Sequence, residues 1–355
     1  MDTRLAEQRL IDAIAELPPG RALCNTAGRG QLAAALAARA AAGPVACFFL
    51  DLFQLHETEA EIGKLPANLS LHCQADPPAG EVDLVPLVFG KQGDAELSRD
   101  LLQAAHDRLA IGGRLAAAID HGADQWLHEQ LRGMFDKVTR RPATDSVLYL
   151  ATKTKPLKKH KDFSCLVSFR DGERLIELRT RPGVFAHRQV DDGARVLVKA
   201  MEITPATRVL DLGCGSGAVG IAAALRAEDV EVQAVDSNPR AIEATMWGAE
   251  KNGATSLAAT LDCDGRTVES EGFDLVLANP PYFSNFRIAT LFLTIAHRAL
   301  APGGRLLLVT KTPSWYAENL ARLMPRVEQA ETRPAGKYTL VVADCGPEPL
   351  ADEGE

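Results

Sequence analysis

Apolar residues in the second half of the chain come in short runs separated by longer stretches of mixed character. The runs at 208–212, 231–235, 256–261, 273–278 and 305–310 are rich in Val and Leu and predict strands. The stretches between them, such as 218–226, read as helices. Strand and helix in alternation predict βα units on a mostly parallel sheet. Two later runs, 327–332 and 338–343, flank Pro334-Ala335-Gly336 and predict an antiparallel hairpin at the sheet edge. The first half shows the same alternation. Its Ala-rich stretch 31–42 predicts a close-packed helix. Residues 1–20 place Asp2, Glu7, Asp12 and Glu16 along an amphipathic helix, a pattern that excludes a signal peptide.

The alternation is duplicated. Val82-Asp83-Leu84-Val85-Pro86-Leu87 leads to Ala105-His106-Asp107-Arg108-Leu109-Ala110-Ile111-Gly112-Gly113-Arg114-Leu115, and the run at 273–278 leads to Ala296-His297-Arg298-Ala299-Leu300-Ala301-Pro302-Gly303-Gly304-Arg305-Leu306. Asp83 and Asp274 are 191 positions apart (274 − 83), and so are Gly112 and Gly303 (303 − 112). Two matches in one register point to one α/β domain present twice. Upstream, Ala22-Leu23-Cys24-Asn25-Thr26-Ala27-Gly28-Arg29-Gly30 reads as a worn copy of Val209-Leu210-Asp211-Leu212-Gly213-Cys214-Gly215-Ser216-Gly217.

Charge changes the picture only locally. The chain carries a net −8, which argues against general nucleic-acid binding. Yet 152–199 holds 12 Lys and Arg against 6 Asp and Glu, and Lys153, Lys155, Lys158, Lys159 and Lys161 crowd around Pro156. The run reads either as a solvated linker or as a contact surface for a polyanion. Asp171-Gly172 between apolar-rich segments predicts a β-hairpin there. The expected organisation is a first domain over 1–152, a basic linker with hairpin over 153–181, a second domain over 182–345, and a loose acidic tail over 346–355. No apolar run is long enough to span a bilayer. The seven cysteines are scattered without metal-site spacing, which points to reduced thiols in a cytoplasmic protein and to no metal.

The candidate chemistry lies in the second half. Asp211-Leu212-Gly213-Cys214-Gly215-Ser216-Gly217 falls between a predicted strand and a predicted helix, where Gly213, Gly215 and Gly217 allow a tight turn and close approach of a ligand. Gly215, Gly217 and Gly220 also fit dinucleotide spacing, which keeps an NAD-type reading open. Asp211 suits a ligand with a cationic end. Asp236 follows the next strand, placed to accept ribose hydroxyls, and Ser237-Asn238-Pro239 opens a helix that the same Asp could cap. Asp262 ends the third strand within reach of an adenine amino group, a role open also to Asp264 or a backbone amide.

Asn279-Pro280-Pro281-Tyr282 ends the fourth strand and decides between these templates. Hydride transfer has no use for it. An amine conjugated to a ring is a poor nucleophile and needs its two protons held. The Asn279 side-chain oxygen and the Pro280 carbonyl offer two acceptors, and Tyr282 offers a ring for stacking. The first copy has Val88-Phe89-Gly90-Lys91 in those positions, and Cys24 and Thr26 for Asp211 and Gly213. That copy is expected to bind no cofactor and to serve as scaffold or RNA dock. His106 and His297 hold equivalent repeat positions and are expected to pack, as are Trp247 and Trp315. Cys214 is expected to be a small packing residue.

Asp211 to Gly217, Asp236 and Asn279 to Tyr282 resemble a class I S-adenosylmethionine-dependent methyltransferase. The duplication, the hairpin and Arg181-Pro182-Gly183-Val184-Phe185-Ala186-His187 resemble the RsmC/RlmG family of rRNA guanine-N2 methyltransferases. The resemblance implies two tandem Rossmann-like domains, each with a mostly parallel seven-stranded sheet and an antiparallel edge hairpin, the N-terminal one degenerate. It implies S-adenosyl-L-methionine as cofactor, held by Asp211, Gly213, Gly215, Gly217, Asp236, Ser237, Asp262 and Asn279. It implies catalysis at Asn279, Pro280 and Tyr282, with Phe185 and the lysine run toward substrate. The implied substrate is a guanine in rRNA, more in keeping with the small subunit, met as rRNA or as a ribosomal subunit by a monomeric enzyme. Where the family shows Asn-Pro-Pro-Phe-His, this chain has Tyr282-Phe283, and the Tyr also resembles adenine-N6 and glutamine-N5 methyltransferases. A large-subunit guanine is a further alternative. A non-catalytic RNA-binding assembly factor that kept the cofactor site is the reading from a different class.

Overall fold

The computed structural model describes residues 3–39, 43–281 and 286–347, and everything below concerns these. Tyr282, Phe283 and most of the 346–355 tail lie outside them. Two compact units divide between Phe163 and Ser164.

The first unit runs α1 (Leu5–Ala13), β1 (Ala22–Cys24), α2 (Gln31–Ala37), β2 (Val45–Phe49), α3 (Leu52–Ile62), β3 (Leu69–Cys73), β4 (Val82–Phe89), α4 (Ala95–Arg108), β5 (Leu109–Ile119), α5 (Trp126–Met134), β6 (Val138–Pro142) and β7 (Val147–Thr152). Its seven strands lie in the order β3-β2-β1-β4-β5-β7-β6. β3 through β5 are parallel, and β7 and β6 are antiparallel.

The second unit opens with a hairpin, β8 (Cys165–Asp171) and β9 (Arg174–Thr180). It continues with α6 (Asp192–Ala200), β10 (Arg208–Leu212), α7 (Ala218–Ala224), β11 (Glu231–Asp236), α8 (Pro239–Asn252), β12 (Leu257–Leu261), β13 (Phe273–Ala278), α9 (Arg287–Ala299), β14 (Leu300–Thr310), α10 (Pro313–Leu323), β15 (Val327–Ala335) and β16 (Tyr338–Cys345). The strand order β12-β11-β10-β13-β14-β16-β15 repeats that of the first unit. Past the exposed Asp274, β13 is apolar without a break from Leu275 to Ala278 because helices cover both faces of the sheet. Leu275 and Leu277 enter one core and Val276 and Ala278 the other.

The duplication extends to irregularities. β5 and β14 carry the same sequence of buried and exposed positions over 11 residues each. Both turn through a left-handed glycine, Gly112 at φ 88° and Gly303 at φ 76°. The register shifts at matching places, between Val82 and Leu84 and between Phe273 and Leu275. β14 therefore begins at Leu300, ahead of the expected start at 305, because Leu300 pairs with Phe273 and pairing resumes at Arg305 across the bulge Ala301-Pro302-Gly303-Gly304, which an apolar pattern does not mark. β15 likewise runs on through Pro334. It is the sheet's edge, where the missing N–H costs no ladder bond.

The hairpin belongs to the second unit's core and is not linker. Phe169, Ile176 and Leu178 are buried in one cluster with Ile221 and Ala249. Asn252, the last residue of α8, accepts from Glu177 N at 3.0 Å and donates to Glu177 O at 2.7 Å, which fixes β9 against that helix. Leu178 is 0% exposed. Leu178→Ala is expected to destabilise the second unit by about 2–5 kcal/mol, as other buried Leu truncations do. Urea unfolding measures this, and a loss below about 0.5 kcal/mol, typical of an exposed site, would return the hairpin to the role of linker.

Candidate active site

The strand order turns back between β10 and β13. In such α/β sheets a crevice opens at the carboxyl ends of the two strands. Leu212 pairs with Ala278, the last residues of β10 and β13, so the glycine loop and Asn279 leave the sheet side by side.

The glycine loop is held by its own backbone. Gly213 N and Cys214 N both donate to Val235 O, at 2.8 and 3.0 Å. Gly217 starts α7 at φ 79°, and a Cβ there would meet Thr245 Cα at 2.9 Å, so the position excludes a side chain twice over. Asp211 is buried and accepts from Gly220 N at 2.9 Å, which ties the strand end to the first turn of α7. Burial pushes its carboxyl up to about 7, against the pull of the Gly220 N–H and with a further push from the Asp236 charge. Cys214 is buried with its thiol pushed well up by desolvation, which suits packing and not nucleophilic attack.

Asp236 ends β11 facing this loop. Its Oδ2 accepts from Gly215 N and its Oδ1 from Asn238 N, both at 2.9 Å. Asn238 Oδ1 caps α8 by accepting from Arg240 N. The capping task thus falls to Asn238, and Asp236 is turned toward the glycine loop. Ser237 lies beside it, half-buried. Asn238 Nδ2 also donates to Gly183 O at 2.6 Å, and buried Arg240 donates to Pro182 O at 2.7 Å. These bonds lay the segment 181–187 over the start of α8. Phe185 comes to the glycine loop, its Cβ 3.9 Å from where a Cβ on Gly215 would stand, and its side chain is 54% exposed.

Asp262 is a different case. Its Oδ1 accepts from Asp264 N at 2.8 Å and Gly265 N at 2.6 Å, and its Oδ2 from Thr267 N at 2.8 Å and Thr267 Oγ1 at 2.5 Å. Burial works to raise its pKa, but these donors outweigh it and hold the carboxyl below the usual range. The side chain is spent on shaping the loop over 262–267.

Asn279 is half-buried and Pro280 buried at the end of β13. The Asn279 Nδ2 donates to Asp191 Oδ2 at 2.8 Å, and among the described residues its Oδ1 accepts no hydrogen bond. Tyr282 falls outside the described residues.

The lysine run divides. Lys153 is buried, with its amine donating to Leu109 O at 2.6 Å and Asp107 O at 3.3 Å, so its expected place on a polyanion surface is corrected: it closes the end of α4. Lys155 pairs with Asp136 at 2.5 Å, and Lys161 lies 4.9 Å from the Phe163 ring centroid. Lys158 and Lys159 are exposed. His106 and His297 sit on α4 and α9, with burial pushing both below the ordinary histidine range, and His106 lies 5.0 Å from the Phe135 ring.

The corresponding loop of the first unit is built otherwise. Gly30 starts α2 at φ 82°, as Gly217 starts α7. Glu7 reaches in from α1, 0% exposed, and its Oε1 accepts from Thr26 Oγ1 at 2.8 Å and Leu32 N at 3.2 Å. Thr26 Oγ1 in turn accepts from Gly28 N and Gly30 N at 3.1 Å. Asn25 bonds both backbone groups of Val88, closing the end of β4. Glu7 was legible as a helix residue only. The available signal was its place beside Ala6 and Leu10 on the apolar side of α1.

A family model for the Methyltransferase small domain matches residues 175–341. Ribosomal RNA small subunit methyltransferase C of Hahella chejuensis is 32% identical over 148 residues, 39% of this chain and 43% of that protein, so this match spans under half the relative's length. Ribosomal RNA large subunit methyltransferase G of Ectopseudomonas mendocina is 28% identical over 320 residues, 86% of this chain and 83% of that protein. The structure of T. thermophilus 16S rRNA N2 G1207 methyltransferase (RsmC), in complex with AdoMet and guanosine, superimposes with a TM-score of 0.78 at 23% identity, covering 95% of this chain and 92% of that one. The duplicated fold, the glycine loop beside Asn279 and these similarities agree, and together they support an RsmC/RlmG-type methyltransferase of the class I S-adenosylmethionine-dependent superfamily.

Proposed function

We propose that this protein transfers a methyl group from S-adenosyl-L-methionine to the exocyclic N2 of a guanine in rRNA. The observation that carries the reading is the emergence of the glycine loop and Asn279 from paired strand ends, which sets a donor site beside an amine site. The residues fit the cofactor. The left-handed glycines keep side chains out of the loop, and Asp236 and Ser237 stand where ribose hydroxyls would be received. Asp211 offers a carboxylate to the cationic end, and Phe185 forms a wall. When bound, the cofactor supplies a methyl on a positively charged sulfur and its own leaving group. The protein's work is then to hold and orient. Asn279 Oδ1 and the Pro280 carbonyl accept the two protons of the amine and direct its lone pair, and Tyr282 stacks on the base. The base is turned out of its stack to reach them.

The likeness to a 16S N2 G1207 methyltransferase over nearly the whole chain favours the small subunit. The long match to a large subunit methyltransferase G favours the second reading, a large-subunit guanine. Lys158 and Lys159 remain as RNA contacts, and an rRNA substrate puts the protein in the cytoplasm. In the first unit Glu7 and Thr26 take the N–H groups of Gly28, Gly30 and Leu32 from within, which supports that unit as a scaffold or RNA dock without cofactor.

Asn279→Ala is expected to lower tritium transfer to rRNA from cells lacking the protein by roughly 100-fold or more, the scale seen when one preorganised polar group is removed, with cofactor binding nearly kept. Nucleoside mass spectrometry of the product is expected to show N2-methylguanine, and methyl on adenine N6 or on protein would overturn the substrate. Calorimetric titration is expected to find one cofactor per chain; two would remove the distinction drawn between the units.

Asp211 gives a pH test. Its folded pKa near 7 lies above the unfolded value of about 4, so the unfolded chain releases its proton first. The ligand-free unit therefore loses stability as pH rises from about 4 to about 7 and levels off above. Asp211→Asn keeps an acceptor for Gly220 N and removes this loss. The variant's melting temperature relative to wild type is expected to rise by roughly 3 °C or more between pH 5 and pH 8, while cofactor affinity falls. A pH-independent difference would show that Asp211 does not titrate in this range.

A further inference from the structure

Asn279 is useful to an amine only if its oxygen, and not its NH2, faces the substrate. An Asn amide can present either group by a half-turn about its last bond. Something must decide, and the structure shows what does. Asn279 Nδ2 donates to Asp191 Oδ2 at 2.8 Å. The same oxygen accepts from Gly193 N at 2.6 Å and Ala194 N at 3.2 Å, as the N-cap of α6. Tyr338 OH reaches Asp191 Oδ1 at 3.4 Å from β16. An ionised carboxylate only accepts, so Asp191 can bond the NH2 of Asn279 and would repel its carbonyl.

Gly193 completes the arrangement. A Cβ there would stand 2.9 Å from Asn279 Oδ1, 3.1 Å from Nδ2 and 2.7 Å from Asp191 Oδ2. A side chain at 193 would crowd the Asp191 carboxylate and both amide atoms of Asn279 at once. The first unit lacks all three together. Its nine-residue α1 matches the nine-residue α6, with Arg4 in the cap position of Asp191, Ala6 in the place of Gly193, and Val88 in that of Asn279.

We propose that Asp191 is a positioning residue for methyl transfer, locking the Asn279 amide with its oxygen toward the amine, with Gly193 leaving room for the contact. The proposal rests on the reading of Asn279 as amine acceptor. Asp191→Ser tests it, because Ser caps a helix well but is too short to hold Asn279. Asp191→Asn keeps an oxygen at the same reach. With undermethylated rRNA and ribosomal subunits as substrates, D191S is expected to lose kcat by roughly 10–100-fold, in line with a misoriented acceptor. Its KM for S-adenosylmethionine and its melting temperature are expected to stay near wild type, and D191N is expected to recover most of the rate. G193A is expected to lower kcat in the same manner. Wild-type kcat in D191S would confine Asp191 to capping α6 and overturn the proposal, as would a loss of rate matched by a loss of folded protein. The two readings fail differently. An inactive N279A beside a fully active D191S removes only the positioning role, whereas a fully active N279A removes the amine-acceptor reading and this proposal with it.

Discussion

The pairing of Leu212 with Ala278 is the constraint on which the rest of the site depends. It brings the ends of two parallel strands to one level, and everything that follows is local. From one end the chain turns through glycines into α7, and from the other it stops at Asn279 and two prolines. Neither loop needs to reach far, so the glycine loop and Asn279 are adjacent by construction of the sheet. The neighbouring strand β11 delivers Asp236 to the same edge, and the start of α8 holds the segment with Phe185 there.

The two units show how much of this architecture is independent of chemistry. Strand order, the glycine bulge and the αL start of the first crossover helix are kept in both. They serve packing and the closure of the sheet. The polar residues at the strand ends are not kept. Where the second unit has Asp211 bonded to a helix N–H, the first has Glu7 from another element bonded to the corresponding helix start. Where the second unit ends a strand in Asn279, the first closes it with Asn25.

The fold was legible because its determinants are periodic and local: apolar runs of strand length, glycines at turns, and a repeat in constant register. Boundaries failed where pairing overrides apolar pattern, at the exposed bulge before Arg305 and at the edge proline, Pro334. Asp211, Asp236 and Asn279 were legible because each lies within one residue of the end of its strand. Asp191 was not, since it lies 88 positions from Asn279 and looks like any helix cap. Lys153 misled for a related reason. A lysine in a basic run is indistinguishable by sequence from its neighbours, and only the carbonyls at the end of α4 set it apart. Asp262 reads from sequence as a strand-end carboxylate, but its four local donors show that a carboxylate near a site can be wholly occupied in building it.

Glu7 has a consequence for the history of the first unit. Restoring Asp at Cys24 alone would set a second carboxylate against a loop whose donors Glu7 already serves, and two buried acids without a cation between them repel. Removing Glu7 alone would leave the buried Leu32 N–H and the Thr26 hydroxyl without their acceptor. Each single step back is therefore disfavoured by the other, so the two residues are coupled and the loop of the first unit would change its acceptors only by a concerted double substitution.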